Sequence, residues 1–339
     1  MMLRQFLAVA CAAFPLMGAA GISSESLMAA RRSVEQIVNC DFTEACRIAD
    51  SAAILDPREP LLPYCMLAAL GMRDLDYDAV GDTARFYALY LRVMEATGKA
   101  AVPLDSSSHL QTVRGLALAT YAASCLRQRR YGKGVDAGLD ALRNFERACR
   151  RDPGNSDALF IPGMYDCARG DLKQRLWWVL FWYPGSTRQG MEKLERCAAF
   201  AQYAGPGARI ALVDIYTNEK QYDKAGKFLE ALEKEYPASR FLGWARARWC
   251  EARGDKIGAA AAYGRLADAY DTIPDAWRSA ITTRNKQAHR LLEAGRPEEC
   301  TTACRSCLLR CARHSDAFAR EIESDARRLL EKAGNRGVH

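Results

Sequence analysis

Four thiols crowd into one short stretch near the C-terminal end of the chain, as Cys300-x3-Cys304-x2-Cys307-x3-Cys311. Thiolates are soft ligands suited to copper(I), zinc and iron–sulfur clusters. The first three carry the C-x3-C-x2-C spacing that grips an iron–sulfur cluster through three sulfurs. Enzymes of that kind place the triplet in a loop after a barrel strand, with an aromatic residue before the last cysteine. Here that position is Ser306, and no barrel strand precedes it. Zinc meets a geometric objection. On one helix, residues 300 and 311 stand roughly 16 Å apart along the axis at about 1.5 Å per residue, whereas Zn–S bonds are about 2.3 Å. A single i,i+4 pair is the most one ion could use, with His314 the nearest further ligand. The remaining histidines, His109, His289 and His339, lie in no metal-pair or nucleophile motif. G-x-S-x-G, H-E-x-x-H, P-loop and dinucleotide fingerprints are all missing from the sequence. Ser106-Ser-Ser-His109 reads as a helix N-cap. The sequence therefore predicts no catalytic residue, no metal site and no cofactor.

A second feature could bind a partner. Between Gly170-Asp171, read as a turn, and a helix beginning near Thr187 lies an aromatic insertion over 172–186, Leu-Lys-Gln-Arg-Leu-Trp-Trp-Val-Leu-Phe-Trp-Tyr-Pro-Gly-Ser. Tryptophan and tyrosine are favoured at interface hot spots, so Trp177, Trp178, Phe181, Trp182 and Tyr183 are the candidate partner-binding residues. On a helix Trp178 and Trp182 share a face and Trp177 points about 100° away. The bland reading of the same residues is a short helix that folds back and plugs the concave surface, and contact with a membrane surface is a further one.

The elements that must position these residues follow a repeat. The 207–237 stretch matches the tetratricopeptide template W-x2-L-G-x2-Y…A-x3-F…P, a helix pair of about 34 residues. Leu212 and Val213 take the L-G slots, Tyr216 the Y slot, Ala225 and Leu229 the A-x3-F pair, and Pro237 closes the unit. The phase recurs in Ala141, Phe145 and Ala148 before Pro153, and in Leu159 and Gly163 followed by Gly190, Leu194 and Cys197. It returns in Ala259, Tyr263 and Leu266 after Gly254-Asp255, and upstream in Phe42, Ala45, Ala49 and Ala52 before Pro57. After Gly295-Arg296-Pro297, Cys300, Cys304 and Cys307 occupy the inward slots, where free cysteine behaves as a small hydrophobe. The expectation is an all-α solenoid of about six antiparallel helix pairs. Degenerate helices span 21–105, central repeats 106–270, C-terminal helices 271–333 and a tail 334–339.

Composition fits a globular chain, with 49% hydrophobic and 26% charged residues. Net charge is +7, with basic and acidic residues interspersed rather than gathered in a stripe. A nucleic-acid footprint would cluster them on one face, so none is expected. At the N-terminus, Arg4 precedes an apolar run from Phe6 to Ala20, with Gly18, Ala19 and Ala20 before Gly21. That order is a secretory signal over 1–20, too short for a membrane span, and predicts a periplasmic or secreted protein. A first solenoid helix, or a lipoprotein signal at Cys11, are the other readings of this stretch. Twelve cysteines lie beyond it. In an oxidising compartment Cys40 and Cys46, flanking a turn around Phe42, would form the local disulfide, and bridges between neighbouring helices stay open.

The order of the 157–165 segment (Asp-Ala-Leu-Phe-Ile-Pro-Gly-Met-Tyr), the aromatic insertion and the 188–195 segment (Arg-Gln-Gly-Met-Glu-Lys-Leu-Glu) resembles a bacterial group of exported tetratricopeptide proteins. It is also similar to tetratricopeptide repeat 39 and Iml2-like proteins. The likeness covers roughly 116–266 and implies a scaffold for an unknown protein or peptide partner, without a reaction of its own. An envelope or outer-membrane assembly component, and a metal or iron–sulfur protein built on the cysteine helix, are the alternatives.

Overall fold

The computed structural model describes residues 22–100, 103–175 and 186–336, with the backbone alone over 170–175 and at 336. Among the described residues there are fifteen α-helices and no strand. They run α1 Ser24–Val38, α2 Phe42–Leu55, α3 Leu61–Asp76, α4 Thr83–Gly98, α5 Ser108–Arg127, α6 Tyr131–Arg151, α7 Phe160–Arg175 and α8 Thr187–Phe200. After these come α9 Gly205–Asn218, α10 Tyr222–Glu235, α11 Arg240–Ala252, α12 Lys256–Asp271, α13 Trp277–Glu293, α14 Pro297–Cys311 and α15 Ala317–Arg336. Consecutive helices pack as seven antiparallel pairs, and α15 closes the stack against α13 and α14. The fold is an all-α solenoid of tetratricopeptide type.

One backbone device repeats along it. The residue two places after the first helix of a pair has positive φ at Cys40 (62°), Asp78 (49°), Arg129 (60°), Lys220 (60°), Gly254 (76°) and Gly295 (72°). At each, the following amide reaches back to a carbonyl five residues earlier, as in Gln221 N to Tyr216 O at 2.8 Å and Asp255 N to Cys250 O at 2.9 Å. These bonds satisfy the orphan carbonyls at the helix end and reverse the chain. Only two of the six positions are glycine, so four carry a side chain in a conformation that costs it roughly 1–2 kcal/mol.

The second helix of each pair then turns its small and apolar stripe inward. Ala45 and Ala49, Ala141, Phe145 and Ala148, Leu194 and Cys197, Ala225 and Leu229, and Ala259, Tyr263 and Leu266 are all buried. Cys300, Cys304, Cys307 and Cys311 form the same stripe on α14, each fully buried. One expected turn is corrected. Gly170-Asp171 does not end a helix, because α7 runs through both residues to Arg175. The first residues of the aromatic insertion therefore extend α7, and the described chain resumes at Ser186, whose side chain caps α8 through the Gln189 amide.

The α7/α8 pair is held unusually close. A Cβ on Gly190 would lie 2.7 Å from both the Cys167 amide nitrogen and the Gly163 carbonyl oxygen. A Cβ on Gly163 would lie 2.8 Å from Leu194.

The stack also bends until its beginning meets its middle. Val38 packs with Val213, Tyr236 and Leu242. Phe42 meets Phe241 edge to face with ring centres 6.4 Å apart, and Arg31 Nε donates to the Gln202 carbonyl at 2.7 Å. The solenoid is thus a ring, with odd-numbered helices on the inside.

Candidate functional site: the concave cavity

The inner face of the ring lines a cavity of about 510 Å3 that is open to solvent, with Leu75 and Met164 exposed on its wall. Every helical residue on its wall belongs to an odd-numbered helix. Val34 and Ile37 come from α1, Met72 from α3, Leu116 from α5, Met164 from α7, Ile210 from α9, and Phe241 and Trp244 from α11. The wall is therefore hydrocarbon and aromatic ring over most of its area, in the size range that binds a ligand or an anchoring side chain. The loop after α8 completes it with Tyr203 and Ala204. That loop is fixed by Asp157, whose carboxylate accepts the Gln202, Tyr203 and Ala204 amides at 2.9, 2.9 and 2.8 Å.

Polar groups on the wall are few and matched. Arg248 grips Asp214 through two bonds, Nε to Oδ1 at 2.9 Å and a terminal nitrogen to Oδ2 at 2.7 Å. Asp76 ends α3 with its side chain fully buried, facing Arg240 across the closure of the ring at 2.6 Å. Around that pair Tyr270 OH donates to Asp76 Oδ1 at 2.6 Å, Trp244 Nε1 donates to the Tyr270 hydroxyl at 2.9 Å, and Ser279 Oγ donates to the Asp76 carbonyl at 2.7 Å. Burial raises the Asp76 carboxyl, and the Arg240 and Tyr270 hydrogen bonds work against that rise. Sequence reading did not single out Asp76. It stands at the end of α3 just after Arg73 and Asp74, where a further acid carries no signal of its own.

The cysteine helix is placed as packing. Cys300 and Cys304 sit with sulfurs 3.9 Å apart in a cluster with Leu291, Leu292 and Leu329. Cys307 points its thiol at the Ile281 carbonyl, 3.6 Å away. The His314 ring stacks on Trp277 with centres 3.8 Å apart. Among the described residues no three histidine, cysteine or acidic side chains come together around one point. The local Cys40–Cys46 disulfide is corrected. Cys40 sulfur accepts the Arg240 amide at 3.3 Å, Cys46 points to the Met66 carbonyl at 3.9 Å, and both are free thiols. The left-handed backbone at Cys40 turns it toward α11 instead of α2.

His109 pairs with buried Glu59 at 2.9 Å, and its neighbour Ser107 caps α5 through the Leu110 amide as the sequence predicts. His289 bonds Asp325 at 2.6 Å, beside Asn285, which donates to the same oxygen at 2.7 Å. Trp177, Trp178, Phe181, Trp182 and Tyr183 lie outside the described residues, as do residues 1–21, which hold the expected signal and its cleavage point. No described helix is long and apolar enough to cross a membrane.

No protein-family model matches the chain, and no curated protein does. Solved structures similar to it include a tetratricopeptide repeat protein from Parabacteroides merdae, 15% identical, covering 90% of this chain and 100% of that one at a TM-score of 0.39. The P58(IPK) TPR domain is 11% identical over 91% of this chain and 99% of its own, at a TM-score of 0.27. Human IFIT1, solved as a dimer with m7Gppp-AAAA, is 13% identical over 93% and 71%, at a TM-score of 0.48.

Proposed function

We propose that this protein is an interaction scaffold without catalysis of its own, which takes an apolar segment of a protein or peptide partner into its concave cavity. The cavity itself carries the reading. A solenoid that only had to stand up would fill its inner face with side chains, yet six inner helices leave about 510 Å3 between them. The wall suits an apolar anchor, while its one inward guanidinium, Arg248, is already neutralised by Asp214. A nucleic acid would need unpaired cations there for its phosphates, so a protein segment is the better fit.

The test is selection of peptides from a random display library on the purified protein, followed by binding to an Ala211→Trp variant. Ala211 lines the cavity, and the added indole would occupy it. Selected peptides should share a bulky apolar residue and lose binding to the variant. Peptides that bind wild type and variant equally would remove the cavity from the function.

The reading includes export, on the charge, apolar run and small-residue order of 1–20. Free thiols at Cys40, Cys65 and Cys167 are compatible with that destination, because the reactive species is the thiolate. Burial pushes Cys40 and Cys167 up to about 11 and Cys65 up to about 12, so each stays protonated and hidden.

A further inference from the structure

Helix α6 is longer than the repeat requires. Helices α2, α8, α10, α12 and α14 each begin three residues before their first inward position, at Ala45, Gly190, Ala225, Ala259 and Cys300. α6 begins at Tyr131, ten residues before Ala141, and runs for 21 residues against 14 to 16 in those five. Its partner α5 is lengthened with it, to 20 residues. The surplus is about two turns, and it carries the α5/α6 hairpin roughly 10 Å beyond the point where the other second helices begin.

The surplus surface is apolar. Tyr131, Val135 and Leu139 are 62%, 54% and 44% exposed, and half-buried Leu142 continues their line. Steps of four, four and three residues put all four on one face. It is not the face that takes Ala137, Ala141 and Phe145 into the core. The place of Leu139, two before the first inward position, is held by Thr43, Arg188, Asp223 and Glu298 on α2, α8, α10 and α14, and only α12 matches it, with Ile257.

We infer that this stripe is where two copies of the chain pair, α6 against α6, antiparallel about Leu139. The charges beside it select that partner. Asp136 and Arg143 are exposed and stand one heptad apart, on the same flank of the stripe. When two copies lie antiparallel at Leu139, each Asp136 falls opposite the other copy's Arg143, and each Val135 opposite the other's Leu142. A two-fold contact needs this reciprocity, with residue i on j and j on i. A parallel pairing would set acid against acid and base against base. Within one chain Arg143 pairs with Asp140 at 2.5 Å, but both side chains are more than half exposed, and such a pair is worth too little to prevent the exchange. α6 contributes nothing to the cavity wall, so pairing leaves both cavities free and a dimer could hold a partner by two anchors at once. The inference itself stands apart from the cavity reading.

The test is sedimentation velocity on the full chain, from micromolar to several hundred micromolar. Wild type should pass from monomer to dimer across that range, because four apolar residues a side make a contact of the small, reversible class. Leu139→Glu sets two carboxylates face to face at the two-fold axis and should weaken association about a hundredfold or more. Val135→Glu should do the same, and both variants should keep the helical circular-dichroism signal, since both positions are exposed. Asp136→Arg should weaken the dimer about tenfold or more, and adding Arg143→Asp should restore it. A chain that stays monomeric throughout the range overturns the inference and gives the stripe to residues 176–185 of the same chain or to a different protein. A dimer that survives Leu139→Glu uses another surface and overturns it equally. Loss with Leu139→Glu but no rescue by the charge exchange refutes the antiparallel pairing.

Discussion

The Gly163–Gly190 crossing offers a perturbation whose size can be worked from distances. Gly190 lies inside α8, where alanine would ordinarily gain about 0.8–1 kcal/mol in helix propensity. Its new methyl carbon would meet Cys167 Sγ at 2.5 Å, the Cys167 amide nitrogen at 2.7 Å and the Gly163 carbonyl oxygen at 2.7 Å. The sulfur can rotate away, but the other two atoms are backbone and yield only if α7 and α8 move apart. Overpacking of this kind costs about 1–3 kcal/mol, and rigid neighbours place it at the upper end. Net destabilisation of about 1–2 kcal/mol follows from setting that cost against the propensity gain. Gly138→Ala on α6 is the control, since its nearest atom would be Ala122 Cβ at 4.0 Å. It should stabilise by about 0.5–1 kcal/mol. Urea melts followed by circular dichroism give both signs in one experiment. Adding Cys167→Ala to Gly190→Ala should rescue little, because the backbone contacts remain. A Gly190→Ala protein as stable as wild type, or full rescue by Cys167→Ala, would refute the claim that backbone sets this spacing. The consequence reaches the cavity, because Phe160 and Met164 of α7 form part of its wall.

Two further outcomes are expected. Lys220 is exposed and holds φ at 60°, in the place that glycine takes at 254 and 295. Lys220→Gly should therefore stabilise by about 0.5–1 kcal/mol, the left-handed penalty less the entropy cost of glycine. A lower urea midpoint would show that the lysine side chain contributes more than its backbone costs. If 1–20 is a signal, intact-mass analysis of native material should find a chain starting at or near Gly21. Retention of Met1 would remove export from the proposed function.

What sequence could and could not show follows from the range of each interaction. The inward stripes were legible because they are local. Ala225 and Leu229, or Ala259, Tyr263 and Leu266, sit at a spacing that only a helix face explains, and all are buried. Gly254 and Gly295 announced their turns for the same reason. Cys40, Arg129 and Lys220 hold the same left-handed position with side chains that give no such signal. Gly170-Asp171 gave the signal without the turn, as α7 passes through it. A glycine next to an acid marks a helix end only where the bonds of the reversal also form, and those depend on the partner helix. The ring closure lies further out of reach. Nothing local distinguishes Asp76 from the acids that end other helices, and Arg240 reads as the first residue of an ordinary first helix. They meet because small rotations between successive pairs add until α1 faces α9 and α11, a sum over the whole stack that no single repeat encodes. The cavity depends on that same sum. A solenoid with less bend would spread these apolar residues over a flatter surface, and Asp76 would need water or another partner for its charge. The burial of that one carboxylate is thus the most direct local record of how far the ring has closed.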